Sequence, residues 1–315
     1  MTRYLIILIA ASAVLFGCGD NVISIGDPPA KPKFDIEKID ENHLIFSVTS
    51  AEGFMVNWDF GNGELSQKDI DTMYYPFADT YTVRLTASDR GGATTTSKSV
   101  IVEETDPEIC ADRFYTMLSG GCDVTSKTWR IADGDSALAN GPPGAKDSLG
   151  NGTSTYNDPV SFWWNSMVVN DIPPPEAKDD EYVFGLKGFT YENNCKGEFY
   201  FNWQWSNKLF GTSQEIYADT IHGYTPNTPS TWTLEIDTTG GEGFITDSTS
   251  GKSVNLILTL SNDNYIGYCS GTSVYQVLEI TPETMFLRFE LVNPDDPSET
   301  GLNRSEWRYV HLVAE

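Results

Sequence analysis

From Lys33 to Glu104 apolar and polar residues alternate in short runs, with turn-forming residues between them. His43–Thr49, Met55–Phe60, Thr80–Ser88 and Thr94–Val102 follow a period of two, as strands with one buried face do. Strands at this spacing predict a small immunoglobulin-like β-sandwich over residues 33–104. A connector follows at 105–126, in which Asp112–Leu118 suits a short helix. Strand patterning then resumes at Thr128–Ile131, Val160–Val169, Tyr182–Tyr191, Glu198–Trp205, Thr231–Ile236, Val254–Ser261, Tyr265–Cys269, Val274–Ile280, Met285–Leu291 and Glu306–Val313. Without a convincing helix among them, these strands predict a second, larger β-sandwich of the jelly-roll kind over 127–315, in an all-β chain. The irregular stretch Ala132–Pro159, rich in Gly, Asn, Asp and Pro, is long for a compact domain, and loops of that length carry function.

The start of the chain reads differently. Arg3 precedes an apolar run from Tyr4 through Ala11 to Leu15-Phe16-Gly17-Cys18, too short and one-sided for a membrane-spanning helix, so residues 1–17 are expected to be a signal peptide. Leu15-Phe16-Gly17-Cys18 resembles the lipobox of bacterial lipoproteins, and the resemblance implies that Cys18 is lipidated and heads the mature chain. Residues 18–32, with Pro28, Pro29 and Pro32, suit an extended tether. Membrane association is then expected through the lipid alone.

Within the first sandwich, Trp58-Asp59-Phe60-Gly61-Asn62-Gly63, Tyr75-Pro76-Phe77 and Asp79–Asp89 occur in an order that resembles the polycystic-kidney-disease (PKD) module. That family is an immunoglobulin-like sandwich, and the resemblance implies a spacer role. The chain departs from the family pattern at Asn62 and Ala78. Trp58 and Phe60 lie on one face of a strand, which makes Trp58 a core residue and not a ligand platform.

The chain holds 45 acidic and 20 basic residues, a formal charge of −25, which argues against nucleic acid and anionic lipid as partners and is compatible with an uncharged ligand. Once Cys18 is assigned to lipid, four cysteines remain. Of their three pairings, Cys110 with Cys122 and Cys195 with Cys269 is preferred, because the first pair brackets a Gly-rich turn and the second lies inside one domain.

Lipobox, PKD-type module and C-terminal sandwich together resemble the surface glycan-binding lipoproteins of bacterial polysaccharide-utilisation systems. In the second domain the resemblance rests on Lys127-Thr128-Trp129, Gly141–Gly144, Phe162-Trp163-Trp164, Asp180–Phe184 and Trp307–Val313. It implies non-catalytic binding of a neutral polysaccharide, with a β-glucan such as laminarin the first ligand to try. It also implies an outer-membrane address facing outward, and admits a glycan transporter as a partner. Flat indole faces suit uncharged sugar rings. Trp163 and Trp164 are expected on opposite faces of one strand, and Trp203 and Trp205 on one face of another. These four are the expected stacking residues, with Trp232 and Tyr156 in reserve and Asn165 and Gln204 among the groups that would hold sugar hydroxyls.

Two other chemistries are weighed. Glu235-Ile236-Asp237 is similar to part of the Glu-x-Asp-x-x-Glu signature of a jelly-roll β-glucanase family, but Gly240 or Thr239 stands where the second catalytic Glu would be, so hydrolysis is not expected. His43, His222 and His311 lack metal-site spacing, and no cofactor is expected. Asp179–Glu181 and Asp295–Asp296 are candidate oxygen ligands for a structural calcium ion, with solvated turns the preferred reading. An adhesion or scaffold protein that binds other envelope proteins is the competing class.

Overall fold

The computed structural model describes residues 26–53, 55–133, 137–141, 164–165, 174–215, 218–238, 245–246, 251, 253–295 and 307–315. The chain divides into two compact units, one of residues 1–75 and 79–101, the other of 76–78 and 102–315.

The first unit contains β1 (Lys33–Lys38), β2 (His43–Ser50), β3 (Met55–Asp59), β4 (Leu65–Ser66), β5 (Ile70–Tyr74), β6 (Asp79–Asp89) and β7 (Gly92–Val102). They form a sheet β1-β2-β5 and a sheet β4-β3-β6-β7, the two layers of an immunoglobulin-like sandwich. Phe34, Leu44 and Phe46 face Trp58, Val83 and Leu85 across the core, with period-two burial as the sequence predicts. Trp58 is 1% exposed, stacks on Phe60 at 5.4 Å and donates its indole N–H to the Lys68 carbonyl at 2.8 Å, a core role as expected. Gly61 has φ +75°, and a Cβ there would meet the Thr82 carbonyl oxygen at 2.7 Å, so only glycine fits this turn.

The second unit opens with α1 (Pro107–Ala111) and α2 (Arg113–Ser119). Asp106 and Asp112 cap them by accepting backbone N–H groups, and Gly120 ends α2 at φ 87°. The Cys110–Cys122 disulfide expected from the sequence is present and ties α1 to the turn beyond α2. The strands that follow are β8 (Lys127–Ile131), β9 (Leu138–Gly141), β10 (Trp164–Asn165), β11 (Glu181–Gly185), β12 (Thr190–Asn194), β13 (Glu198–Phe201), β14 (Thr220–Gly223), β15 (Ser230–Asp237), β16 (Ile245–Thr246), β17 (Ser253–Leu260), β18 (Val274–Ile280), β19 (Thr284–Glu290) and β20 (Trp307–Ala314).

The all-β class holds, and the topology refines the jelly-roll expectation. Neighbours run β8-β11-β12-β15-β17-β18-β19-β20, each pair antiparallel and in chain order apart from the skipped short strands, and β20 then pairs with β8. The sheet therefore closes on itself as an up-and-down ring, without the long crossovers of a jelly roll. Trp129, Tyr182, Phe184, Tyr191, Trp232, Leu256, Leu258, Tyr275 and Leu287 all belong to one buried cluster, so side chains occupy the interior.

Local chemistry overrides the predicted strands in three places. Tyr182–Tyr191 is not one strand but the β11–β12 hairpin, turned through Gly188 and Phe189 at positive φ. After the short helix α3 (Pro175–Lys178), Glu198–Trp205 stops as a strand at Phe201, and Trp203–Phe210 forms α4 in place of its last residues. Tyr265–Cys269 is irregular, with Ile266 donating its backbone N–H to the Tyr275 hydroxyl at 2.8 Å.

Because the ring is antiparallel, alternate connections leave from the same end. Four long ones, 132–180, 195–229, 261–273 and 291–306, depart from the strand ends at Ile131, Asn194, Leu260 and Glu290, all on one end of the ring, while 238–252 leaves from Asp237 at the other. The tight hairpins 186–189 and 281–283 lie at that other end as well.

Candidate functional site

Among the described side chains, Trp203, Trp205 and Trp232 do not form one platform. Tyr156 and Trp163 lie outside the described residues. Trp164 and Asn165 lie on β10, where their backbones pair with Asn140 and Ala139, and their side chains are outside what is described. Trp232 belongs to the core: it is 0% exposed and donates its indole N–H to the Gly185 carbonyl at 3.1 Å.

Trp203 and Trp205 do not share a strand face, because both sit on α4. Asn202 accepts the Gln204 backbone N–H at 2.9 Å and nucleates the helix, and Gly211 at φ 64° ends it. On a helix, residues two apart point about 200° from one another. Trp205 accordingly turns inward, over Gly271, and donates its indole N–H to the Val292 carbonyl at 2.7 Å. Trp203 remains partly exposed in the first turn. Asn207, beside these residues, accepts from Thr212 and Gln214 at 2.9 and 2.6 Å, so it is engaged locally.

The described surface does contain a concavity at the same end of the ring. A pocket of about 400 Å³ is lined by Pro174, Glu176, Glu198, Tyr200, Asp219 and Ile221, all from connections at the loop-bearing end of the ring. The β13–β14 hairpin pairs Tyr200 with Ile221, which sets the aromatic and aliphatic side chains abreast. Asp219 is the organising group. Its carboxylate accepts the Trp203 backbone N–H at 2.9 Å, the Asn202 amide at 3.3 Å and the Tyr268 hydroxyl at 2.6 Å, so the pocket and the start of α4 are one unit. Tyr200 lies edge-on to Tyr268 at 5.2 Å, and the Arg308 guanidinium lies 5.4 Å from the Tyr268 ring. Burial holds the Tyr200 and Tyr268 hydroxyls protonated far above neutral pH, with the Asp219 charge acting in the same direction. The arrangement offers hydrogen-bond acceptors beside an aromatic edge.

A second cluster escaped the sequence reading. On the face of β18–β20 opposite the core, Leu278, Phe286, Arg288, Trp307 and Tyr309 are each 3% exposed or less. Phe286 stacks on Tyr309 at 6.0 Å, Arg288 lies 4.4 Å from the Trp307 ring, and an Arg288 guanidinium N–H donates to the Gln276 side-chain oxygen. Its signal was legible: Met285–Phe289 and Trp307–Val310 run without alternation, as strands buried on both faces do.

Further expectations are corrected. Cys195 and Cys269 are buried free thiols and not a disulfide. Cys195 donates to the Tyr224 carbonyl at 3.8 Å. Burial raises both, Cys269 to about 12. The candidate calcium ligands are otherwise engaged: Asp179 with Lys196 at 3.3 Å, Asp180 with the Tyr182 hydroxyl at 3.1 Å, Glu181 with Arg130 at 2.9 Å and Asp295 with Lys208 at 3.3 Å. Asp296 lies outside the described residues. Among the described residues no group of three or more His, Cys, Asp or Glu could hold a metal ion. Glu235 lies exposed on β15, on the face opposite the buried Trp232 and Leu234.

Comparison with known proteins gives one firm assignment. The family model of the PKD domain matches residues 38–102. The PKD1 domain of the Vibrio cholerae metalloprotease PrtV is 30% identical over 24% of this chain and 98% of its own, at a TM-score of 0.22. The PKD1 domain of Vibrio anguillarum Epp is 29% identical over 25% of this chain and 96% of its own, at a TM-score of 0.21. A carbohydrate-binding module of the β-sandwich superfamily, described as promiscuous in specificity, aligns over 91% of this chain and 92% of its own at 14% identity. With a TM-score of 0.22, that last likeness bears on neither topology nor ligand. No curated protein matches the chain.

Proposed function

We propose that this chain, whose residues 38–102 belong to the PKD-domain family, is a non-catalytic binder of polysaccharide that lacks negative charge. The PKD domain acts as spacer and the closed ring carries the site. Cys18 carries a lipid that holds the protein at the outer face of the outer membrane, where a glycan transporter is the candidate partner. No helix among the described residues is long and apolar enough to cross a membrane.

One observation carries the saccharide reading. Partly exposed Trp203 is tied by its backbone to Asp219, and Asp219 lines a pocket in which acceptor oxygens stand beside Tyr200 and Ile221. A sugar ring offers the complement: a flat C–H face for the indole and hydroxyl donors for the carboxylates. The filled interior of the ring directs any ligand to this rim. Affinity electrophoresis through gels cast with neutral polysaccharides, laminarin first, tests the reading. Retardation that Trp203→Ala reduces supports it, and release of reducing sugar would replace binding with hydrolysis. Unretarded migration on every glycan would favour the adhesion reading, for which exposed Leu65 and Ile70 on the PKD domain supply apolar surface.

A further inference from the structure

The pocket's walls narrow the class of sugar, on the premise that the domain binds saccharides at all. Glu176 and Glu198 line it from two different connections, and both are exposed. Asp219 adds a third carboxylate, but its charge is already met by three donors, with Arg308 close by over the Tyr268 ring. The surplus negative charge therefore belongs to Glu176 and Glu198, and among the described residues no Lys or Arg lines the pocket to answer it. A second, independent feature points inward. Tyr200 is 4% exposed and lines the pocket, yet its hydroxyl has no hydrogen-bond partner among the described residues. That hydroxyl is left to water at the pocket, whose place a ligand group can take.

We infer that this pocket receives a sugar unit bearing a protonated primary amine, an amino sugar whose nitrogen is not acylated. An ammonium group has three donors and no acceptor, so it can meet both glutamates and the Tyr200 hydroxyl together. Ile221 adds an apolar wall for the sugar's C–H face. N-acetylation would remove the charge and turn a carbonyl acceptor toward carboxylates. A uronate or sulfate would be repelled outright. A wholly neutral sugar satisfies the acceptors but leaves the charge uncompensated.

The test is calorimetry on the full chain with fully deacetylated chitohexaose, its N-acetylated counterpart and laminarihexaose. Two partly exposed ion pairs predict about tenfold tighter binding of the deacetylated sugar at low salt. The preference shrinks at about 0.5 M salt, where charges are screened within a few ångström. Glu176→Gln with Glu198→Gln abolishes the preference, whereas Glu52→Gln with Glu64→Gln, on the PKD domain, removes the same charge and preserves it. Equal affinity for the acetylated or neutral oligosaccharide overturns the amine assignment and leaves saccharide binding standing. Loss of the preference in the Glu52/Glu64 variant reduces it to overall charge and overturns it too. Failure of all three oligosaccharides to bind removes the saccharide reading itself, and the assignment with it.

Discussion

Two tryptophans show how little residue identity says about role at the scale of single side chains. Trp203→Ala deletes a partly exposed indole and is expected to weaken saccharide binding by about 1–3 kcal/mol with little change in melting temperature. Trp232→Ala empties a fully buried site and is expected to cost about 3–5 kcal/mol of stability, read by denaturant titration. Nothing in the sequence separated the two, since both stand in runs with strand-like patterning. What decided Trp203 was one neighbour, Asn202, whose side chain caps a helix where a strand was expected. Asp180 carries a different consequence. It is 0% exposed, its described bond is the one to the Tyr182 hydroxyl, and burial raises its carboxyl to about 8. The folded chain then keeps a proton that the unfolded chain releases near pH 4, so stability falls as pH climbs between these values, by at most about 1.4 kcal/mol per pH unit. Asp180→Asn is expected to flatten that slope in unfolding titrations at pH 5, 6, 7 and 8. An unchanged slope would mean that Asp180 is ionised in the fold.

Elements were more legible than residues where alternation ran clean. The first sandwich, α2, β15, β17 and the Cys110–Cys122 bridge lie where pattern and turn chemistry placed them. The misreadings share a cause, in that a short polar side chain or a positive-φ residue broke a run that hydrophobicity alone would have continued. Asn202 did so at α4, and Gly188 with Phe189 at the β11–β12 turn. The disulfide closes a loop of 12 residues' separation around α2, and replacing both cysteines with serine is expected to lower stability by about 3 kcal/mol in thermal melts. Gly271 supports α4 from outside the helix. A Cβ there would meet the Trp205 ring at 2.1 Å, and φ is +82°, so Gly271→Ala is expected to displace the indole from the Val292 carbonyl. A red shift in tryptophan emission at a lowered melting temperature would record it.

For the whole molecule, strand patterning marked a small β-rich unit ahead of a larger one, but not how the second closes. Strand patterning says which face of a strand is buried, and is silent on which strand it pairs with. The closure turns on Ala314, Val313 and Leu312 lying opposite Trp129, Arg130 and Ile131. These partners stand far apart in the chain, while nearly all other pairs in the ring are near neighbours. A chain emerging from a ribosome therefore holds only an open sheet, with two unsatisfied edges, until residues 307–314 arrive. Such edges invite pairing with other chains. Ring closure falls to β20, and a molecule interrupted before it should be the species that clumps during synthesis.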